Sequence, residues 1–130
     1  WNSFVIDYII RMRVTTTLNF FYILQLTAPL YDPKNPTHCA IVERTTQLTC
    51  TTEEYEPFAK ALAIKGLRCR ELSERERSEL RSEVDGFVAH LYGLTEDEFA
   101  HVLRQFPIVP EPVKTDALNA YRAVQRGLVK

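Results

Sequence analysis

The chain has 130 residues, of which 45% are hydrophobic and 25% are charged, and its formal net charge is −1. This composition is typical of a globular protein of about one domain and excludes a disordered or fibrous chain. The nearly neutral charge gives no overall electrostatic signal for nucleic acid, although a balanced total can hide a one-sided basic patch.

Residues 4–13 form the first predicted element, an apolar helix that Asn2 or Ser3 can cap. The run is far shorter than the roughly 20 apolar residues of a membrane span, and no basic segment of a signal peptide precedes it. We therefore expect a cytoplasmic protein without a membrane partner. The start at Trp1, without a methionine, indicates a fragment of a longer chain, and we expect the apolar helix to have packed against upstream parts of that chain.

The residues after this helix change in character. Residues 14–17 (VTTT) predict a turn into extended chain, because β-branched side chains disfavour a helix. Residues 18–24 (LNFFYIL) combine aromatic and β-branched side chains, which favours a short buried strand. Three prolines within residues 28–36 exclude a helix and predict an extended connector.

From residue 37 onward the pattern is helical. Thr37 can cap a helix to about Cys50, and a shorter helix that carries Pro57 in its first turns begins near Thr51. Gly66 is expected to interrupt that shorter helix.

Two capping boxes give the firmest helix starts. Ser73 with Glu76 opens a long helix to about Tyr92, and Thr95 with Glu98 opens a short one.

Further prolines end the short helix, and Thr115 or Asp116 caps a last helix to about Gly127. The predicted fold is mainly α, a helical domain with a short strand-bearing N-terminal segment.

A search for catalytic patterns gives no candidate. The four glycines do not form a phosphate-binding loop, and neither a Gly-x-Ser-x-Gly elbow nor a His-Glu-x-x-His pair occurs. His38 stands beside Cys39 but lacks the second pair of ligands that a closed zinc site needs, and His90 and His101 favour surface or boundary positions. We therefore expect no catalytic residue, metal or cofactor in this chain, and predict that it is not an enzyme.

The cysteines and the charge distribution add two expectations. The three cysteines include no Cys-x-x-Cys pair, which is typical of free thiols in a reducing compartment. Residues 60–81 contain seven basic and four acidic side chains. Within them, Lys65, Arg68 and Arg70 lie on a predicted loop without local acidic partners, which could bind phosphates, although an ordinary solvated loop fits the pattern as well.

Several stretches, taken in order, resemble the C-terminal end of bacterial N6-adenine-specific DNA methyltransferases of the restriction-modification and phage-defence type. In that family a target-recognition region follows the methylase and closes with a Leu-Asn-Ser-Phe-Val-Phe-Asp-Tyr segment, and a Leu-Asp-Ala-x-x-Ala-x-Leu-Tyr-Gly-Leu signature comes later. The matching stretches are residues 2–8 (NSFVIDY), Arg11, residues 15–17 (TTT), 18–21 (LNFF), 26–29 (LTAP), 83–95 (EVDGFVAHLYGLT) and 98–109 (EFAHVLRQFPIV).

The resemblance implies a non-catalytic C-terminal fragment that supports recognition of double-stranded DNA. Residues 1–36 would end the target-recognition region and form a proline-rich connector, and residues 37–130 would form a helical domain. The family's catalytic Asn/Asp-Pro-Pro-Tyr/Phe motif is absent, since Asn35-Pro36-Thr37-His38 lacks the second proline and the aromatic residue. The parent would bind S-adenosylmethionine elsewhere, and its upstream methyltransferase and recognition domains would be partners of this chain.

On this interpretation a corner between the first helix and the predicted strand contacts the DNA backbone, together with the basic loop. The same residues have structural alternatives, with threonines forming a turn, the asparagine bonding to backbone and arginines capping a helix end. The candidate DNA-binding residues are Arg11, Arg13, Thr15, Thr17, Asn19, Lys65, Arg68 and Arg70.

A second interpretation is a helical protein–protein interaction module. It would dock the methylase to a partner subunit or to a second copy of itself. Exposed apolar surface that includes Phe4, Ile9 and Phe20 would then favour a homodimer.

Overall fold

The computed structural model describes residues 3–14, 21, 24–62 and 69–129, and over these ranges the chain is mainly helical and contains no strand. The mainly α prediction is therefore confirmed. The helices are α1 (Phe4–Arg13), α2 (Pro36–Thr49), a 3-10 turn (Glu53–Tyr55) that continues into α3 (Glu56–Ala61), α4 (Glu74–Leu91), α5 (Glu96–Arg104) and α6 (Glu111–Gln125).

Helix α4 is the centre of the described structure, because it contacts α1, α2 and α6. Helix α1 also contacts α5, and α5 contacts α6. The largest core cluster joins these helices through Val5, Val88, Ala89, Phe99, Leu103, Ala117 and Tyr121.

Both predicted capping boxes are confirmed. The Ser73 hydroxyl accepts a hydrogen bond from the Glu76 amide, and the Glu76 carboxylate accepts one from the Ser73 amide. Thr95 and Glu98 repeat this arrangement at the start of α5. Gly93 follows α4 at a φ of +69°, a conformation that glycine adopts without the strain of a side chain.

The strand-bearing N-terminal segment is not supported. Within the predicted strand over residues 18–24, Phe21 and Leu24 are helical and largely exposed, so the strand prediction is wrong at these two positions. Aromatic and β-branched side chains favour strands where they pack on a half-buried sheet surface, and these two side chains are exposed instead. Residues 18–20 and 22–23 lie outside the described residues.

Two predicted helix starts are also wrong, and a proline is the reason in both cases. Helix α2 is capped by Asn35 rather than Thr37, and α6 begins at Glu111, ahead of the predicted caps Thr115 and Asp116. Each helix has a proline in its first turn, where a backbone N–H would lack a partner within the helix anyway. Proline therefore starts these helices instead of excluding them.

Helix α1 packs within the chain. Val5 is buried in the core, and the Phe4 and Phe106 rings meet edge to face with their centroids 5.0 Å apart. Phe4 and Ile9 are partly buried against the core rather than exposed, and Phe20 lies outside the described residues. The domain boundary at residue 36 stays a prediction.

None of the described helices combines sufficient length with sufficient apolar character to cross a membrane.

Candidate functional site

A groove of about 770 Å³ lies between α1, α2 and α4. Ala28 and Pro29 of the connector form part of its wall, and the Tyr92 hydroxyl donates a 3.0 Å hydrogen bond to the carbonyl of Thr27 beside them. The volume is within the usual range for ligand pockets, about 300–1,000 Å³. The apolar part of the lining comes mainly from Phe4, Ile6, Ile41, Leu48, Val84 and Val88.

Asp85 is a buried carboxyl group in the lining of this groove. Asp85 is only 7% exposed, and one of its carboxylate oxygens accepts a 2.8 Å hydrogen bond from the Phe4 amide. This bond satisfies an amide of the first turn of α1, which has no acceptor within the helix. Burial raises the pKa of Asp85 to about 7, and the Phe4 amide offsets part of that rise.

Two arginines form a basic rim on the groove. Arg77 and Arg81 are one helical turn apart on α4, on the side that also carries Asp85. Neither arginine makes an ion pair with a residue that the structure describes. By contrast, Arg75 binds Glu79 at 2.8 Å on the solvent side of the same helix.

The charges of α4 are not all solvent-exposed i,i+4 pairs. Arg75 and Glu79 form such a pair. Arg44 of α2 binds Glu83 and lies over the Phe87 ring, 4.6 Å from its centre, so one acidic residue of α4 serves a partly buried contact.

The predicted DNA-contact residues that are described have local partners. Arg11 makes a two-pronged ion pair with Asp7, at 3.1 and 3.2 Å, and its guanidinium lies 5.0 Å from the centre of the Phe106 ring. Arg13 donates a 2.7 Å hydrogen bond to the Gln25 carbonyl.

In the predicted basic loop, Arg70 binds the Glu76 carboxylate at 2.6 Å, so it does have an acidic partner. That contact, with the hydrogen bonds from Ser73, lowers the pKa of Glu76 to about 2. The remaining predicted contacts, Thr15, Thr17, Asn19, Lys65 and Arg68, lie outside the described residues.

Two of the three histidines, His38 and His90, contact other parts of the fold. His38 is buried, and its Nδ1 accepts a 2.8 Å hydrogen bond from the Asp32 amide. His90 stacks on the Tyr121 ring at 4.1 Å, and its Nε2 lies 3.0 Å from the Tyr121 carbonyl oxygen. His101 is exposed on α5. No cluster of three or more metal-binding side chains occurs in the part of the chain that the structure describes.

All three cysteines are free thiols. Cys50 is buried at the end of α2, and its thiol has a raised pKa because of burial and of the neighbouring Cys69 thiol. A raised pKa keeps this thiol protonated and unreactive at neutral pH. Cys39 is exposed and donates a 3.3 Å hydrogen bond to the Pro33 carbonyl.

Sequence reasoning missed Asp85, Arg77 and Arg81 as members of a site. Their spacing of four residues places them on one side of a helix, which was available as a signal. Comparison with protein-family models, with curated proteins and with solved structures finds no match to this chain.

Proposed function

We propose that this chain is the non-catalytic C-terminal part of an N6-adenine-specific DNA methyltransferase of the restriction-modification or phage-defence type, and that it supports DNA target recognition. The order of the resembling stretches is the first support for this proposal. The parent would bind S-adenosylmethionine in its upstream domains, and DNA modification would take place in the cytoplasm.

The observation that carries the proposal is that the resembling stretches pack on one another. Asp85, which stands at the aspartate of the Leu-Asp-Ala signature, accepts the hydrogen bond from Phe4 in the first stretch. Phe4 also contacts Phe106 of the last stretch, and Val5 shares the core cluster with Val88. Stretches that form one packed unit depend on one another, which explains why they would occur together in this order.

The proposed DNA contact at the end of α1 is compatible with the ion pairs described above. Arg11 and its partner Asp7 are both substantially exposed, and an exposed ion pair contributes little free energy. A phosphate can therefore replace the Asp7 carboxylate at little cost. The backbone carbonyl that Arg13 contacts carries no net charge, so a phosphate would attract this arginine more strongly.

The test uses the parent methyltransferase with Arg11→Ala and Arg13→Ala. Double-stranded DNA affinity is measured by filter binding between about 50 and 200 mM salt, and loss of two phosphate contacts should reduce the slope of log affinity against log salt by about 1.8. The matched control is Arg104→Ala with Arg126→Ala, two exposed arginines at the ends of α5 and α6. An unchanged slope would contradict the proposed contact.

A separate assay tests the non-catalytic role. The purified chain is incubated with labelled S-adenosylmethionine and adenine-containing duplex DNA, and we expect no methyl transfer. Transfer by this chain alone would overturn the proposal.

The groove favours a second candidate, a helical interaction module. Its apolar lining and basic rim are suited to a protein partner, and this role is compatible with a place at the end of a methyltransferase.

A further inference from the structure

An acidic-aromatic segment, residues 53–62, projects apolar side chains into solvent. Tyr55, Phe58 and Leu62 are 44%, 50% and 38% exposed. Their spacing of three and then four residues places them along one side of the 3-10 turn and α3. Grooves that bind amphipathic helices contact apolar anchor side chains at this spacing.

The same segment begins with negative charge. Glu53 and Glu54 are exposed, and neither makes an ion pair with a described residue. Farther along, Lys60 pairs with Glu56 at 2.9 Å, so these two charges are balanced within the segment. The first turn therefore presents acidic side chains directly beside the aromatic anchors.

The groove has the complementary chemistry. Its apolar lining matches the aromatic anchors, and the basic rim, Arg77 and Arg81, matches the acidic first turn. The segment does not fill the groove of its own copy, since none of the residues that line the groove belongs to residues 53–62. One molecule therefore carries both a groove and a segment of complementary chemistry, and the segment is not part of the groove lining.

We propose that the groove binds the acidic-aromatic segment of a second copy of this chain. Tyr55, Phe58 and Leu62 enter between α1, α2 and α4, and Glu53 and Glu54 pair with Arg77 and Arg81. The contact joins different surfaces of the two copies, so it closes a dimer when both copies reciprocate and extends to larger assemblies when they do not. It does not depend on the proposed role in DNA methylation.

The apolar lining favours a protein segment over DNA as the occupant. A phosphate backbone would use the two arginines but leave the apolar lining in contact with water. Aromatic side chains bury that lining and gain the free energy of its desolvation. DNA binding at the groove is thus the competing outcome of the experiment below.

The first measurement is the mass of the full chain by sedimentation equilibrium over a concentration series, at low and high salt. We expect reversible association to two copies or more, weakened by salt because ion pairs contribute. Phe58→Ala should weaken association about tenfold or more, since a central aromatic anchor is lost. The matched control is Ile108→Ala, which removes an apolar side chain that is 96% exposed elsewhere on the chain.

The decisive measurement uses two charge-reversed chains, Glu53→Arg with Glu54→Arg and Arg77→Glu with Arg81→Glu. Each chain alone brings like charges together and should associate about tenfold more weakly or worse. When the two chains are mixed, both contacts pair opposite charges again, so association should return. The reversal Glu43→Arg with Asp116→Arg, at exposed positions on other surfaces, should leave association unchanged.

Other results would overturn the proposal. They are a monomer at every concentration, association that ignores both reversals, a mixture that does not recover, and a monomer whose DNA binding alone falls on reversal of Arg77 and Arg81. Thermal unfolding of every variant is followed by circular dichroism. If the groove variant fails to fold, the Phe58→Ala and Glu53/Glu54 variants, which change only exposed residues, decide the outcome.

Discussion

The two sides of α4 are built differently. On the side of α6 the helices touch closely, with Gly86 against the α6 backbone and His90 stacked on Tyr121. On the side of α1 and α2 the same helix borders a groove and buries Asp85, and among the described residues Asp85, Arg77 and Arg81 have no partner of opposite charge. One side of a helix can thus hold a fold together while the other borders an open groove with apolar and charged lining.

The largest expected effect is on the closed side, the side of α4 that packs against α6. Phe99 is fully buried, with a ring 5.6 Å from that of Tyr121. Phe99→Ala should lower the free energy of unfolding by about 3–5 kcal/mol, because it removes buried apolar area and leaves a cavity. Urea denaturation measures the loss. Ile108→Ala is the control and should change stability by less than about 0.5 kcal/mol.

The next effect is the pH dependence of stability, which tests the open side, the side of α4 that borders the groove. The pKa of Asp85 is raised by burial from its ordinary value of 3.8 to about 7, so between these pH values the folded chain holds a proton that the unfolded chain has released. The free energy of unfolding should therefore fall as the pH rises across this window, by on the order of 3 kcal/mol.

The matched variant for this pH test is Asp85→Asn. Its amide oxygen can still accept the hydrogen bond from Phe4 but does not titrate. Urea denaturation at pH 5 and pH 8 should show a smaller difference in stability for the variant. An equal difference in both chains would assign the pH dependence to other groups.

A smaller effect tests how tightly the closed side fits. A Cβ atom at Gly86 would lie 2.8 Å from the Tyr121 nitrogen and 2.9 Å from the Ala120 carbonyl carbon, both backbone atoms. Gly86→Ala gains about 1 kcal/mol of helix propensity but forces α6 outward, and we expect a net loss of about 1–2 kcal/mol in thermal or urea unfolding. A gain in stability would show that α6 can move away freely.

The smallest predicted effect concerns the start of α4. Ser73→Ala removes the hydroxyl that caps this helix and should cost about 1 kcal/mol, read from urea denaturation. Ser73→Thr keeps a capping hydroxyl and is the control. An effect well above that of Gly86→Ala would indicate that the first turn of α4, and with it the basic rim, depends on the cap.

Local signals made part of the fold predictable. The capping boxes at Ser73 and Thr95 were read correctly because their partners are three residues away in sequence. Thr37 and Thr115 are not the caps, because a proline is compatible with the first turn of a helix and both helices begin ahead of these threonines.

The groove was not predictable in the same way. Asp85 stands in a helix rich in charged residues, and only the packing of α1, from 81 residues earlier in the chain, gives it a buried hydrogen-bond partner. Among the residues that the structure describes, Arg77 and Arg81 have no acidic partner, and Glu83 of the same helix is engaged by Arg44 of α2. Such properties come from contacts between distant elements, which periodicity and composition do not encode.

The hydrogen bond between Phe4 and Asp85 has a consequence for biosynthesis. The first helix leaves the ribosome 81 residues before the side chain that will cap it, a delay of about 4–16 seconds at translation rates of roughly 5–20 residues per second. For that interval its apolar side chains lack the surface they will finally cover. Nascent chains stalled before residue 85 should therefore be bound by chaperones at this first helix, and release should follow emergence of the aspartate.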